Sequence, residues 1–256
     1  CPMDRLQMLL IVCPLIFLSG FVDSIAGGGG LISLPAFLLS GLPAQVAHGC
    51  NKFSAFIGTG VSTVRYFRHG DMHVKVAVLS AVAALGGSYL GTRFALMLPE
   101  PVFRGVILTA VPVMSVLILV DSVRGEKAAP PIPPESRLLV MAVLFGFFIG
   151  MYDGMIGPGT GTILIWCQHR FMGFEHVTAP GNAKAANLAT NVASAVTLIA
   201  AGKVLYWLAA PAALCGIAGN WVGSGLAIKK GSRLIRGMMM VVVALMLVKL
   251  LTDYLL

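Results

Sequence analysis

The sequence predicts an all-α protein, a polytopic bundle of eight to ten membrane segments. It is organised as two homologous halves, inverted with respect to one another, whose helices are broken by glycine. Three observations predict this: too few charges for a water-exposed surface, an internal repeat carried by Gly, Asp, Lys and Arg, and glycine-rich breaks beside unusually short apolar segments.

Of the 256 residues, 57% are hydrophobic and 11% charged, against roughly 25% charged in soluble domains. Lipid must therefore be the solvent for most of the surface. Charge-free runs such as Leu6–Val22, Val76–Thr92, Leu138–Tyr152 and Val204–Ile228 approach or exceed the length that crosses a bilayer core, about 20 helical residues. The net charge of +8 does not read as a nucleic-acid surface, because Lys and Arg fall between the apolar runs and no aromatic-and-basic platform accompanies them. The five cysteines are dispersed without CxxC or metal spacing and read as small apolar fillers. The first apolar run resembles a secretory signal, but its end recurs inside the chain, which argues against that reading.

The repeat is the second observation. Gly20-Phe21-Val22-Asp23 matches Gly150-Met151-Tyr152-Asp153 at a shift of 130. Ala47, Gly49 and Lys52 match Ala179, Gly181 and Lys184 at 132, as do Gly70 with Gly202, and Gly87 and Gly91 with Gly219 and Gly223. Chance likeness between apolar helices favours Leu and Ala rather than these residues. Residues 1–121 thus form the first transmembrane repeat, 122–137 a proline-rich loop, and 138–256 the second repeat.

Each half follows one order. A long apolar helix ends at a break (Gly27–Gly30; Gly157–Gly161), and a short apolar stretch follows (residues 31–42; 162–171). Then comes a small-residue helix with a polar start (Ala44–Phe67; Thr178–Ala201), and two more apolar helices complete the unit. The short stretches either cross or re-enter. Five crossings per half put Arg65, Arg68, Lys75, Arg124, Lys127, Arg137, Arg170, Lys229, Lys230, Arg233 and Arg236 on one side, against Arg5, Arg93, Arg104 and Lys203 on the other. Four crossings per half nearly equalise the sides. The positive-inside rule favours five, which also inverts the halves.

Two broken helices at equivalent places point to a site. A break frees backbone N–H groups, and a helix start carries partial positive charge, which suits a small anion. Close helix packing is the competing reading of the glycines. Lys52 and Lys184 are charges within apolar surroundings and should face a cavity or a partner; snorkelling to headgroups is the alternative. The candidate substrate-binding residues are Gly28, Gly29, Gly30, Asn51, Lys52, Gly159, Thr160, Gly161, Asn182, Lys184 and Asn187. Asn187 shares a helix face with Lys184 and Asn191. Asp23 and Asp153 precede the breaks and are candidates for coupling, for capping, or as counter-ions of the lysines. No metal set, nucleophile motif, Walker loop or dinucleotide fingerprint is found, so neither an enzyme nor a cofactor is expected.

These motifs resemble the TauE/SafE sulfite-exporter-type permeases. The likeness is carried by Gly20 through Pro35, by Ala47-His48-Gly49-Cys50-Asn51-Lys52, by Gly150 to Gly161 and by Ala179 to Lys184. Cys50 stands where that family often has Thr, and Pro158 interrupts the second glycine run. The resemblance implies transport of sulfite, sulfonates such as sulfoacetate, or related anions without ATP hydrolysis. The expected protein is a multi-pass secondary transporter of the bacterial inner membrane, working by alternating access. Its expected partners are a small anion and the lipid bilayer, with no nucleic acid; a homodimer is an open alternative. The rival functions are an anion channel, a permease of the same fold for another small anion or metabolite, a membrane enzyme, or a non-transporting receptor.

Overall fold

The computed structural model describes residues 3–123, 130–175 and 178–230. Among them are nine α-helices and no strand: α1 (Arg5–Ala26), α2 (Gly30–Leu39), α3 (Ala44–His69), α4 (Val74–Met97), α5 (Glu100–Val123), α6 (Glu135–Met155), α7 (Thr160–Met172), α8 (Thr178–Ala200) and α9 (Tyr206–Lys230). By length and apolar composition, α1, α4, α6 and α9 can cross a membrane. α3 and α8 are of similar length but more polar. Large apolar side chains such as Leu10, Val78, Val82, Phe94, Phe148, Leu214 and Val222 point outward, as a bundle solvated by lipid requires. The expected helix after residue 230, and Arg124, Lys127, Arg233 and Arg236 of the charge argument, lie outside the described residues.

The helices interleave between the halves. α1 packs most extensively on α9, and α4 on α6. Each pairing thus joins the first helix of one half to the fourth of the other. The glycines of the repeat mark where the backbones meet. Gly219 and Gly223 of α9 lie against the backbones of Phe17 and Phe21 on α1, while Gly87 and Gly91 of α4 lie against Phe147 and Met151 on α6. The two sets correspond residue for residue. The same holds where helix meets loop: Gly49 lies under the carbonyl of Lys203, and Gly181 under that of Asp71. A glycine inside a helix costs about 1 kcal/mol relative to alanine. It is retained here because a Cβ would collide with backbone.

These contacts also give direction. α1, α3 and α9 run one way, since Gly216 lies near Ser54 and Gly225 against Arg65. α4, α6 and α8 run the other way, since Asn182 meets His73 and Ser194 meets Ser88 and Thr92. α3 and α8 are antiparallel, with Lys52 at Asn191 and Thr63 at Lys184. Thus α1 and α6 oppose one another and the halves are inverted. α1 and α3 point the same way, so the chain returns between them through α2. At 10 residues, α2 spans about 15 Å, and the remainder is covered by its flanking segments. α7 makes the equivalent return with 13 residues.

The core follows the same logic. Val12, Ile16, Leu31, Leu34, Phe37 and Ala47 form an apolar cluster where α1, α2 and α3 meet. Ala84, Leu164, Ala183 and Ala186 form another between α4, α7 and α8. The small residues of α3 and α8 let these helices pass each other at the centre.

Candidate functional site

Both glycine breaks reach the centre of the molecule and touch there. Gly27, in left-handed backbone (φ 73°), ends α1, and a Cβ on it would overlap the backbone of Gly161. Thr162 Oγ1 donates to the Ala26 carbonyl at 2.8 Å and ties the breaks together. Ser19 Oγ donates to the Gly29 carbonyl at 2.8 Å, and Tyr152 Oη to the Pro158 carbonyl at 2.7 Å, which fixes each break to its own half. α2 and α7 begin at Gly30 and Thr160, and the glycines in the capping position before them, Gly29 and Gly159, offer no side-chain cap. Each therefore presents the partial positive charge of an uncapped helix start.

The two lysines are buried and each is held by the aspartate of the opposite half. Lys52 Nζ lies 2.8 Å from Asp153 Oδ2, and Lys184 Nζ lies 2.6 Å from Asp23 Oδ2. The lysine side chains are 2% and 1% exposed, so neither snorkels to headgroups. Lys52 also donates to Asn191 Oδ1 at 3.2 Å, and Asn191 Nδ2 to Asn187 Oδ1 at 2.9 Å. Thr63 Oγ1 meets the Lys184 carbonyl, eleven residues beyond Lys52. The backbones of the two lysines therefore sit at levels roughly 16 Å apart along α3. Removing one member of such a pair strands a buried charge, typically at a cost of about 3–5 kcal/mol.

Between these levels lies a cavity of about 40 Å³. By the same measure one water needs roughly 10–15 Å³, so the space suits about three waters or one small oxyanion. Asp23, Gly29, Gly30, Asn51, Lys52, Asp153, Thr160, Gly161 and Asn187 line it. Gly28, Gly159, Asn182 and Lys184 do not. Asn182 instead accepts the His73 backbone N–H at 2.8 Å, which joins α8 to the start of α4. Lys184 reaches the cavity only through Asp23. The wall also holds polar residues outside the sequence-derived set, notably Ser19, Thr59, Asn191 and Asn220. Asn191 belonged to the stripe with Asn187. Asn220 could have been noticed as an amide in an apolar run at the position matching Ser88. The Oδ1 atoms of Asn51 and Asn220 are buried without a partner among the described residues.

The two lysines and two aspartates sum to zero charge. Both ammoniums are held by carboxylates, so the net positive potential at the cavity comes from the helix starts. His48 is fully buried and contacts the Gly154 carbonyl at 3.1 Å, beside the donor Thr92 Oγ1. It clamps α6 next to Asp153. Among the described residues no cluster of three His, Cys, Asp or Glu could hold a metal ion.

An all-helical bundle of two inverted, interleaved halves around a polar cavity defines a polytopic membrane protein of transporter type. The family model "Sulfite exporter TauE/SafE" matches residues 12–250. The chain belongs to that family of membrane transporters. It is 30% identical to "Probable membrane transporter protein ORF9" of Sinorhizobium sp over 93% of this chain and 90% of the relative. It is 28% identical to a "Probable membrane transporter protein" of Haemophilus influenzae over 97% and 96%. It is 30% identical to "Probable membrane transporter protein YfcA" of Escherichia coli K12 over 98% and 95%. No solved structure matches. These relatives are named as transporters rather than enzymes.

Proposed function

We propose that this protein is a secondary carrier that moves a small anion, sulfite or an organosulfonate such as sulfoacetate, across a bacterial cytoplasmic membrane by alternating access. The observation that carries this reading is the small polar cavity at which two uncapped helix starts, one from each inverted half, meet beside the buried Lys52. Helix starts bind oxyanions through free N–H groups, and inverted repeats with broken helices provide two equivalent gating arrangements around one site. Sulfite matches the cavity as it stands, whereas a longer sulfonate requires it to widen. Lys52, Asn51 and Asn187, with the backbones of Gly29, Gly30 and Gly161, would contact the anion, while Thr160, whose N–H and Oγ1 both donate to the Gly157 carbonyl, shapes the wall. Lys184 and Asn182 would act from behind the wall.

Arg65, Arg68, Lys75, Arg137, Arg170 and Lys229 lie at one end of the bundle, and Arg5, Arg93, Arg104 and Lys203 at the other, by helix direction. The positive-inside rule assigns the first end to the cytoplasm. The test is flux in liposomes containing only this protein. A carrier gives saturable uptake of labelled sulfite that unlabelled sulfite on the opposite side accelerates. Non-saturating flux without counterflow would mark a channel, and absence of flux for sulfite and for sulfonates would end the reading.

A further inference from the structure

Resting on the anion-carrier reading, we infer that the cargo is carried together with a proton, and that the Asp153 carboxylate is an internal stand-in for the anion at Lys52. In the structure the Lys52 ammonium is taken: Asp153 Oδ2 sits at 2.8 Å and Asn191 Oδ1 at 3.2 Å. Both members of this pair line the cavity, so an oxyanion entering it competes with the carboxylate for the same ammonium.

Charge accounting then decides what else must bind. Lys52, Lys184, Asp23 and Asp153 sum to zero, and they are buried, the most exposed being Asp23 at 13%. Adding an anion leaves one uncompensated negative charge in a site of low dielectric, which is heavily penalised. One proton on Asp153 restores neutrality. It also releases Lys52 to the cargo and converts the carboxylate from a competitor into a hydrogen-bond donor. For a singly charged anion the loaded site is neutral, which is the state best suited to being closed away from water. When the proton leaves, Asp153 reclaims Lys52 and expels the anion.

The groups facing Asp153 are consistent with this role. From α3 come Lys52 and His48, the latter held on the Gly154 carbonyl. From α4 comes Thr92, on the same carbonyl. α8 presents Asn191 through Lys52. Across the cavity Asp23 of α1 is held by Lys184, and α9 presents the neutral Asn220. Tyr152, beside Asp153 in sequence, is committed to Pro158. A second cation that could hold the anion while Asp153 stays ionised is therefore missing from the cavity wall among the described residues.

The test is calorimetric titration of the full chain, purified without sodium, with methanesulfonate, whose charge is constant over the working pH range. Two cationic buffers of different ionisation enthalpy are used. The expected result is uptake of one proton per anion bound, with affinity weakening about tenfold per pH unit over the range in which that uptake is seen. Asp153→Asn should bind methanesulfonate with a flat pH profile and no proton uptake. The double variant Lys52→Gln/Asp153→Asn keeps a neutral hydrogen-bonded pair as a control for folding and should not bind. Wild-type binding without proton uptake, binding that needs sodium, or an Asp153→Asn protein with the wild-type pH slope would each overturn the coupling. In those cases labelled flux in liposomes would still stand, and the carrier reading with it. No methanesulfonate binding at any pH, together with no flux, would overturn both.

Discussion

The cavity is walled mainly by α1, α3 and α9, the hollow side of the molecule, whereas from the inverted copy of that side, α6, α8 and α4, only Asp153, Asn187 and Asn191 reach it, and this is the filled side. On the hollow side Asn220 faces the cavity with its Oδ1 unpartnered among the described residues. On the filled side the matching residue, Ser88, donates to the Thr190 carbonyl at 2.8 Å and lies 2.8 Å from Ser194 Oγ, which in turn lies 2.8 Å from Thr92 Oγ1. The ion pairs divide likewise. Lys52–Asp153 lines the cavity with both members, while Lys184–Asp23 presents only its carboxylate. Nearly the same sequence pattern has therefore settled into two packings. In a two-state carrier made of inverted halves, the second state is the first with the halves exchanged. Under the proposed carrier function, the hollow and filled sides are the two ends of that exchange.

The comparison can be broken most severely at the lysines. Lys52→Met strands Asp153, at 4% exposure the more buried aspartate, and should cost about 3–5 kcal/mol. Lys184→Met strands the more accessible Asp23 and should cost less. Melting of the two purified variants in one detergent ranks them, and equal losses would mean that the asymmetry of the cavity is energetically silent. The breaks come next. Gly27→Ala forces a side chain into left-handed backbone and into the Gly161 backbone. It should destabilise by about 1–3 kcal/mol from overpacking alone. Gly157 is also left-handed (φ 95°), but the nearest atom a Cβ there would meet is the end of Lys52 at 3.3 Å, with Asp153 oxygens at an ordinary 3.5 Å. Gly157→Ala should therefore be milder in stability and act mainly on anion affinity, which melting with and without sulfite separates. A smaller effect is expected from Ser88→Ala, which removes one hydroxyl from the filled side and should cost about 1 kcal/mol. Asn220→Ala, facing the hollow side, should cost less. The smallest change belongs to Glu135→Gln. Its ion pair with Lys75 at 2.6 Å is exposed and screened by water, so the melting temperature should not move.

Much of this architecture was legible in the residues because the repeat was carried by atoms with little freedom. Gly49 and Gly181, Gly87 and Gly219, and Gly91 and Gly223 recur because each lies against a backbone that admits no Cβ. Gly70 and Gly202 recur because both adopt left-handed backbone at a helix end. The charge asymmetry that favoured five crossings per half agrees with the directions of α1, α3 and α4. The pairing of each lysine was not legible. Asp23 was a candidate counter-ion, but nothing local assigns it to Lys184, 161 residues away, rather than to Lys52. Only the crossing of α3 and α8 at the centre decides that. The counter-ion reading of the two aspartates is the one the geometry matches, since each buried ammonium takes the carboxylate the other half brings. Asn220 was passed over because its polarity is balanced by a serine, not an asparagine, in the copy.

The exchange of packing partners, α1 on α9 and α4 on α6, has an evolutionary consequence. A lone half would leave bare the surfaces that its twin covers, so residues 1–121 made alone should be degraded, whereas both pieces made together should reassemble. The ancestor implied by such a plan is a short protein without orientation preference, inserting either way up and pairing with its own upside-down copy. Joining the genes would then have released each copy to acquire its own pattern of basic loops.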